Sequence, residues 1–391
     1  MFLNPTSFEE KVKRLLHDKP IDKAKEVFPE FFNNNAKYYP LFLRDPYQLH
    51  NFDYTKYIDT SILNQLKNNT LKPIIISVTE VFDLFQVHNL YKRRNYKASM
   101  PYTNIIKWLL QHNIKEENIT FITAINNVQN DIKFLSSKGI DIKSNFIHYN
   151  FFIEQLTFVK KQFRPLKNVE KHFLSLAQNR ETHHRYAITL GLYAKKLMNN
   201  GKVSCVDYKN FIYNLTEGSH TVPNINTDNY LKKFNFFSND TFNNFKNALP
   251  LNIDGKVDQH WDYTDEYYLF ENVFLNITNE SHSPDTKLFA TEKTFRPILY
   301  CRPFVINGDY GTLDYLHTLG FKTFNKWWDE SYDTAPNDWK RIEKVLKVVE
   351  TICKLTPSQC MDLYNDMLPI IKHNHELLYS LKQNEKLKKI L

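Results

Sequence analysis

The sequence predicts an α/β fold built on parallel sheets, and three observations carry that prediction. Short apolar runs rich in β-branched residues stand at 74–78, 119–125 and 304–306, and such runs read as strands buried on both faces. Stretches of helical length and periodicity separate them. The first two runs end in polar pairs, Thr79-Glu80 and Asn126-Asn127, and ligands of parallel sheets sit beyond the carboxyl ends of the strands.

In chain order, residues 1–70 read as an aromatic-rich N-terminal extension packed on the first domain. Short helices are expected there at 7–18 and 21–28, followed by an irregular segment carrying Tyr38, Tyr39, Phe42, Tyr47 and Phe52. A first Rossmann-like α/β domain is expected at 71–165, with strands at 74–78, 119–125 and 146–149 and helices at 102–112, 128–138 and 151–162. The pattern resets at Arg164-Pro165, and a second domain is expected at 166–336. Its strands fall at 172–176, 202–206, 267–270, 273–281 and 304–306. A helix at 186–198 ends at Asn199-Asn200-Gly201, and 208–250 reads as an Asn-rich loop. Two amphipathic helices, 337–355 and 357–381, account for 337–391.

Composition narrows the function classes. A chain of 391 residues can bury two ordinary cores. No apolar run approaches the roughly 20 residues of a membrane span, and Met1 to Lys19 is too polar for a secretory signal, so a cytoplasmic protein is expected. The four cysteines, Cys205, Cys301, Cys353 and Cys360, have neither Cys-x-x-Cys spacing nor paired histidines, which argues against a disulfide framework or structural zinc. The net charge of +8 comes from lysines spread along the chain, whereas a polyanion groove needs them clustered. No Walker-type glycine loop and no Gly-x-Ser-x-Gly elbow occurs, against a P-loop nucleotidase or an α/β hydrolase.

The most informative stretch runs from Phe289 to Gly308. Thr291 is an N-cap residue type, followed by Glu292 and Lys293 in a first turn and Arg296 one turn on, with Phe295, Ile298 and Leu299 at helical spacing. Pro297 is expected early in this helix and Arg302-Pro303 to break it, before a strand at 304–306 and a turn at Asn307-Gly308. Cations at a helix start suit a phosphate; ordinary charges on an exposed helix start fit the same spacing. With Arg185 near another helix start and Glu271-Asn272 after the run at 267–270, these side chains are expected to meet at one rim. There the cations would face a diphosphate and the carboxylates would face ribose or sugar hydroxyls. His183-His184, being adjacent, point to different faces rather than to one metal. Trp327-Trp328 reads as core or interface, and Asp329, Glu330 and Asp333 as an exposed acidic turn, with a cation- or acceptor-binding set as the alternative.

Phe270-Glu271-Asn272, then Phe289-Ala290-Thr291-Glu292-Lys293, then Pro303 to Gly308, resemble in order and approximate spacing the donor-binding signature of α1,3-fucosyltransferases. Ser175 to Asn179 with Arg185 and Leu190 is similar to that family's upstream segment, so the likeness covers 172–308. The segments 320–324 and 329–333 look like those of glycosyltransferases encoded by large tailed phages. The resemblance implies a GT-B architecture: two Rossmann-like domains with sheets facing a cleft, acceptor N-terminal, donor C-terminal, and last helices crossing back. It places Arg185 and Lys293 on the donor diphosphate and Glu292 on ribose or sugar hydroxyls, with Asn272 shaping a pocket that also takes in Glu271, Thr291 and Arg296. Inversion would need a general base on the acceptor side, for which Glu80 is the candidate. The implied partners are a nucleoside-diphosphate sugar and a hydroxyl acceptor, a glycan or a modified base in DNA. No tightly bound cofactor is implied, and a divalent cation is permitted but not required. Phe289 stands where the family has Tyr, and the segment from Asn272 to Thr291 is long, so the sugar stays open. A catalytically inactive nucleotide-sugar- or nucleic-acid-binding protein of the same fold is the alternative.

Overall fold

Two parallel four-stranded sheets organise the chain. The computed structural model describes residues 38–42, 60–77, 101–124, 128–157, 161–177, 182–208, 227–234, 237–251, 266–280, 288 and 290–381. The described residues up to Glu154 belong to one compact unit and those from Gln155 to Leu381 to another.

The first unit runs β1 (Tyr38–Phe42), α1 (Thr60–Lys67), β2 (Lys72–Ser77), α2 (Pro101–Gln111), β3 (Thr120–Thr123), α3 (Val128–Ser137) and β4 (Asn145–His148). Its strands pair in the order β1-β2-β3-β4, all parallel. Ile74, Ile75, Phe121 and Ile122 are wholly buried, as unbroken apolar runs require. One expectation is corrected: Tyr38 to Phe42 is not irregular but a strand, with Pro40 opposite Ile74. β1 is an edge strand among the described residues, where a missing N–H is tolerated. The helices expected at 7–18 and 21–28, and residues Tyr47, Phe52, Glu80, Asn126 and Asn127, lie outside the described residues. Helix α4 (Phe151–Thr157) spans the division between the units.

The second unit runs β5 (Lys171–Ala177), α5 (His183–Ala194), β6 (Gly201–Cys205), α6 (Thr227–Leu231), α7 (Asn239–Ala248), α8 (Tyr267–Phe270), β7 (Val273–Asn279), α9 (Glu292–Leu299), β8 (Phe304–Asn307), α10 (Thr312–Thr318), α11 (Asp338–Ile352) and α12 (Pro357–Ser380). Strand order is β6-β5-β7-β8, again all parallel. The chain moves outward from β5 to β6, then reverses and moves outward the other way through β7 to β8. Right-handed crossovers in opposite directions place α5 and α9 on opposite faces, and the reversal between β5 and β7 opens a crevice at their carboxyl ends. β7 is buried at all seven positions and ends at Asn279, short of the 281 expected from the sequence.

Three further differences have local causes. Tyr267 to Phe270 is a helical turn, not a strand; four apolar residues fit either period. The Asn-rich stretch contains α6 and α7, the latter capped by Ser238 Oγ accepting from Thr241 N at 3.1 Å. Pro297 sits six residues into α9 rather than in its first turn. The N–H it lacks would have met the Lys293 carbonyl, which Thr278 Oγ1 approaches at 3.5 Å instead. α9 then closes through Cys301 in the left-handed region, φ 58°, with Arg302 N donating to Pro297 O at 2.8 Å.

α11 and α12 start on side-chain caps: Asn337 Oδ1 accepts from Lys340 N at 3.0 Å, and Thr356 with Gln359 forms a capping box. α11 packs on α5, where a Cβ on Gly191 would meet Leu346 Cδ1 at 2.2 Å. α12 packs on α9, β5 and β7 within the same unit. Trp328 is buried against Phe324, ring centroids 5.3 Å apart, so the tryptophan pair contributes to the core through this residue. No helix among the described residues is long and apolar enough to cross a membrane.

Arg302 ties the amino-terminal end of the unit together. Fully buried, it donates from Nε to Phe270 O at 3.0 Å, and from Nη1 to Tyr300 O at 2.9 Å and Cys301 O at 3.0 Å. Arg302→Leu removes the donors to Phe270 O and Tyr300 O and leaves Cys301 O to the Tyr364 hydroxyl at 2.9 Å, and is expected to lower unfolding free energy by about 3 kcal/mol, read as a shifted guanidinium midpoint at constant slope.

Candidate functional site

The carboxyl ends of β5, β7 and β8 carry a connected set of buried polar side chains. Strand alternation divides them between the two faces. Toward α5, Asn279 Nδ2 donates to Ser175 Oγ at 3.0 Å, and Asn307 Nδ2 donates to Asn279 Oδ1 at 3.0 Å and to His184 O at 3.2 Å. Toward α9, Glu280 Oε1 accepts from Thr291 N at 3.1 Å and Thr294 Oγ1 at 2.6 Å, while Oε2 accepts from Thr291 Oγ1 at 2.7 Å.

Arg185 lies in the first turn of α5, so that helix begins three residues earlier than its apolar periodicity suggests. It is 2% exposed. Its Nε and Nη2 donate to Glu280 O at 3.2 and 3.0 Å, and Nη2 also to Asn279 O at 3.2 Å. His184 Nε2 reaches the same Glu280 carbonyl at 2.8 Å. This guanidinium is held behind the rim, where it supplies positive potential more than an open contact.

Across the rim, Thr291 caps α9, its Oγ1 accepting from Lys293 N at 3.3 Å. Lys293 Nζ pairs with Glu292 Oε1 at 2.5 Å, the lysine side chain 22% exposed and the glutamate 4%. Burial works against the Glu292 carboxylate, but Lys293 and then Arg296 outweigh it and hold its pKa below the ordinary range. Burial lowers the Lys293 ammonium; Glu292 opposes this and the Arg185 charge adds to it, for a net shift downward. Among the described residues, the accessible cation of the rim is therefore Lys293, with Arg185 behind it and two helix N-termini pointing the same way.

Of the expected residues, Arg185, Thr291, Glu292 and Lys293 lie at the carboxyl end of β7, Arg185 and Thr291 bonded to Glu280 and Lys293 to Glu292. Arg296 shares α9 but pairs through Nη1 with Glu266 Oε2 at 3.3 Å, on the segment leading into α8. Glu271 and Asn272 do not join the rim. They precede β7, at the opposite end of a strand about 20 Å long. Glu271 is exposed, its carbonyl accepting from Lys202 Nζ at 3.2 Å. Asn272, at φ 56°, donates to Glu170 Oε1 at 2.9 Å in a turn that anchors the start of β5. The polar pair ending the strand before Thr291-Glu292-Lys293 is Asn279-Glu280, which the sequence reading missed. Identifying Val273 to Ile277 as the central strand would have pointed to it. Glu80 and Phe289 lie outside the described residues.

The acidic set after Trp328 serves the fold. Asp333 is buried and Oδ1 accepts from Leu313 N at 3.1 Å, while Glu330 accepts from Phe324 N at 2.7 Å and Thr323 Oγ1 at 2.6 Å. Of the three, Asp329 is the one left exposed. Among the described residues, no group of three or more His, Cys, Asp or Glu is placed to hold a metal ion. His183 turns away from His184, its Nδ1 3.1 Å from Thr227 Oγ1.

No family model matches this chain, and no curated protein does. A solved structure of the DNA-modifying enzyme β-glucosyltransferase, studied with and without its substrate uridine diphosphoglucose, matches at 11% identity over 84% of each chain, with a TM-score of 0.33. At that score the likeness is one of general course, and the site stands on its own geometry.

The buried histidines make stability sensitive to acid. Burial, then the Arg185 charge, pushes His184 down to about 3, and burial with Lys233 pushes His183 down to about 4. Unfolded, both bind protons near pH 6.5 while the folded chain does not, so stability falls as pH drops from 6.5 toward these values. His184→Gln should flatten this acid limb by up to about 1.4 kcal/mol per pH unit, measured by denaturation at a series of pH values.

Proposed function

We propose that this chain is a nucleotide-sugar-dependent glycosyltransferase of GT-B type whose second unit binds the donor. The observation that carries the reading is the rim at the β5/β7 reversal. Two helices begin there on opposite faces of the sheet, each bringing a cation, with Lys293 accessible and Glu292 beside it. The fucosyltransferase-like order of the sequence supports the same assignment, with Asn279-Glu280 in place of Glu271-Asn272 at the strand end.

The chemistry asks for little beyond this. As the sugar leaves its nucleoside diphosphate, negative charge grows on the phosphate oxygens. A fixed ammonium and two helix N-termini stabilise that charge without reorganising. Glu292 serves sugar or ribose hydroxyls as an acceptor, and a donor phosphate would take its place as the partner of Lys293. Arg185 acts from behind by fixing the end of β7 and raising the local potential. Inversion at the anomeric carbon requires a base on the attacking hydroxyl, a role this reading gives to Glu80 from sequence alone. The acceptor is a glycan or a modified DNA base, and the +8 charge favours the polyanion only slightly.

Titration calorimetry with GDP and with UDP tests the donor site. Lys293→Ala should weaken the better-bound nucleotide by about 10- to 100-fold in protein that circular dichroism shows to be folded, with a thermal midpoint lowered by the loss of the Glu292 partner. Arg185→Ala should lower midpoint and affinity together. Unchanged affinity in Lys293→Ala would remove the assignment. Slow hydrolysis of the matching nucleotide sugar by the native chain distinguishes a transferase from an inactive binding protein.

A further inference from the structure

One buried acid on this rim has no role in the reading above. Glu280 is 1% exposed, and a carboxylate so enclosed is costly unless donors surround it. It has them, and they come from several directions. Its two oxygens take the main-chain N–H and hydroxyl of Thr291 and the hydroxyl of Thr294, at 2.6 to 3.1 Å. Its carbonyl takes the Arg185 guanidinium and the His184 ring, and its own N–H donates to Asn307 O at 3.0 Å. One residue thus bonds the first turn of α5, the cap and first turn of α9, and the end of β8.

The surroundings leave that side chain little freedom. A Cβ on Gly308 would lie 3.0 Å from both Cβ and Cγ of Glu280, so a side chain there would have to push the glutamate aside by a few tenths of an ångström. Thr291 already caps α9 through Lys293 N. What the carboxylate adds is a bond from that cap back to β7, the strand whose end Arg185 grips. Without it, α9 and α5 would each be fixed to the sheet but not to a common point.

We infer that Glu280 is a positioning residue of the anion site, fixing Lys293 and Arg185 to a common point through hydrogen bonds. This rests on the donor-site reading of the rim. A glutamine of the same shape keeps an acceptor oxygen for Thr291 N and Thr294, and its amide can donate to Thr291 Oγ1. An alanine keeps none of these.

The experiment uses the full chain, with inorganic pyrophosphate, GDP and UDP as probes in calorimetry, circular dichroism to verify folding, and thermal midpoints alongside. Glu280→Ala, folded, should bind the probes at least about ten-fold more weakly than the native chain, and Glu280→Gln should stay within about three-fold. Gly308→Ala, which crowds the carboxylate without removing it, should lose affinity several-fold. A role confined to stability would lower midpoints and leave affinities of folded protein unchanged. That result in Glu280→Ala overturns the inference. Should this variant not fold, native affinity in folded Gly308→Ala overturns it instead. Equal losses in Glu280→Gln and Glu280→Ala would show charge rather than hydrogen-bond geometry to be at work, also against it. A native chain that binds none of the probes fails at the earlier step, the donor site itself, and this inference falls with it.

Discussion

The interaction on which the second unit depends is the closure of β7 at its carboxyl end by Arg185. A strand buried on both faces cannot leave its last carbonyls bare, because water is excluded and the ladder has stopped. Asn279 and Glu280 present those carbonyls, and the guanidinium fork and the His184 ring supply donors to them. Only a long cation with several fixed N–H groups answers two adjacent carbonyls at once. Its placement then dictates where α5 begins. The same solution recurs elsewhere in the unit: Arg302 serves the carbonyls of the α8 and α9 ends, and Arg341 Nε and Nη2 serve Tyr332 O and Asp333 O at 2.9 and 3.2 Å.

The rim departs from that self-contained pattern at two places. Lys293 pairs with an adjacent acid, and its side chain is 22% exposed at the edge of a largely buried network. Partial burial strengthens the pair electrostatically but also penalises each charge. α9 adds a second departure. Pro297 leaves the Lys293 carbonyl without its ordinary helical partner, and Thr278 of β7 leans toward it. The first turn of this helix is thus tied to the sheet on the side of Thr278 as well as through its cap.

How far this was legible in the sequence depended on whether a residue's local pattern had one meaning. The runs at 74–78 and 304–306 did, and so did the cap Thr291, because a polar cap before an apolar-periodic stretch has few alternatives. Tyr267 to Phe270 did not: read as a strand, it made Glu271-Asn272 its polar end and hid Asn279-Glu280. Pro40 masked β1 for a related reason, since a proline inside five residues argues for a strand only once the strand is known to be an edge. The Asn-rich stretch concealed α7 because asparagine is common to loops and to helix starts. Arg185 was found by position but misjudged in manner. A sequence shows that a cation lies near a strand end, not that backbone carbonyls will occupy it.

The notch at Gly191 has a reach that its distance from the rim conceals. Six residues, or about 9 Å of helix, separate it from Arg185, and Leu346 of α11 occupies the space where a side chain would be. The leucine seats α11 against α5 at this point, its methyl groups filling the notch. A change of shape in the packing between α5 and α11 would reach the carboxyl edge of the sheet as a displacement of one guanidinium, the intervening turns of helix moving with it as a rod.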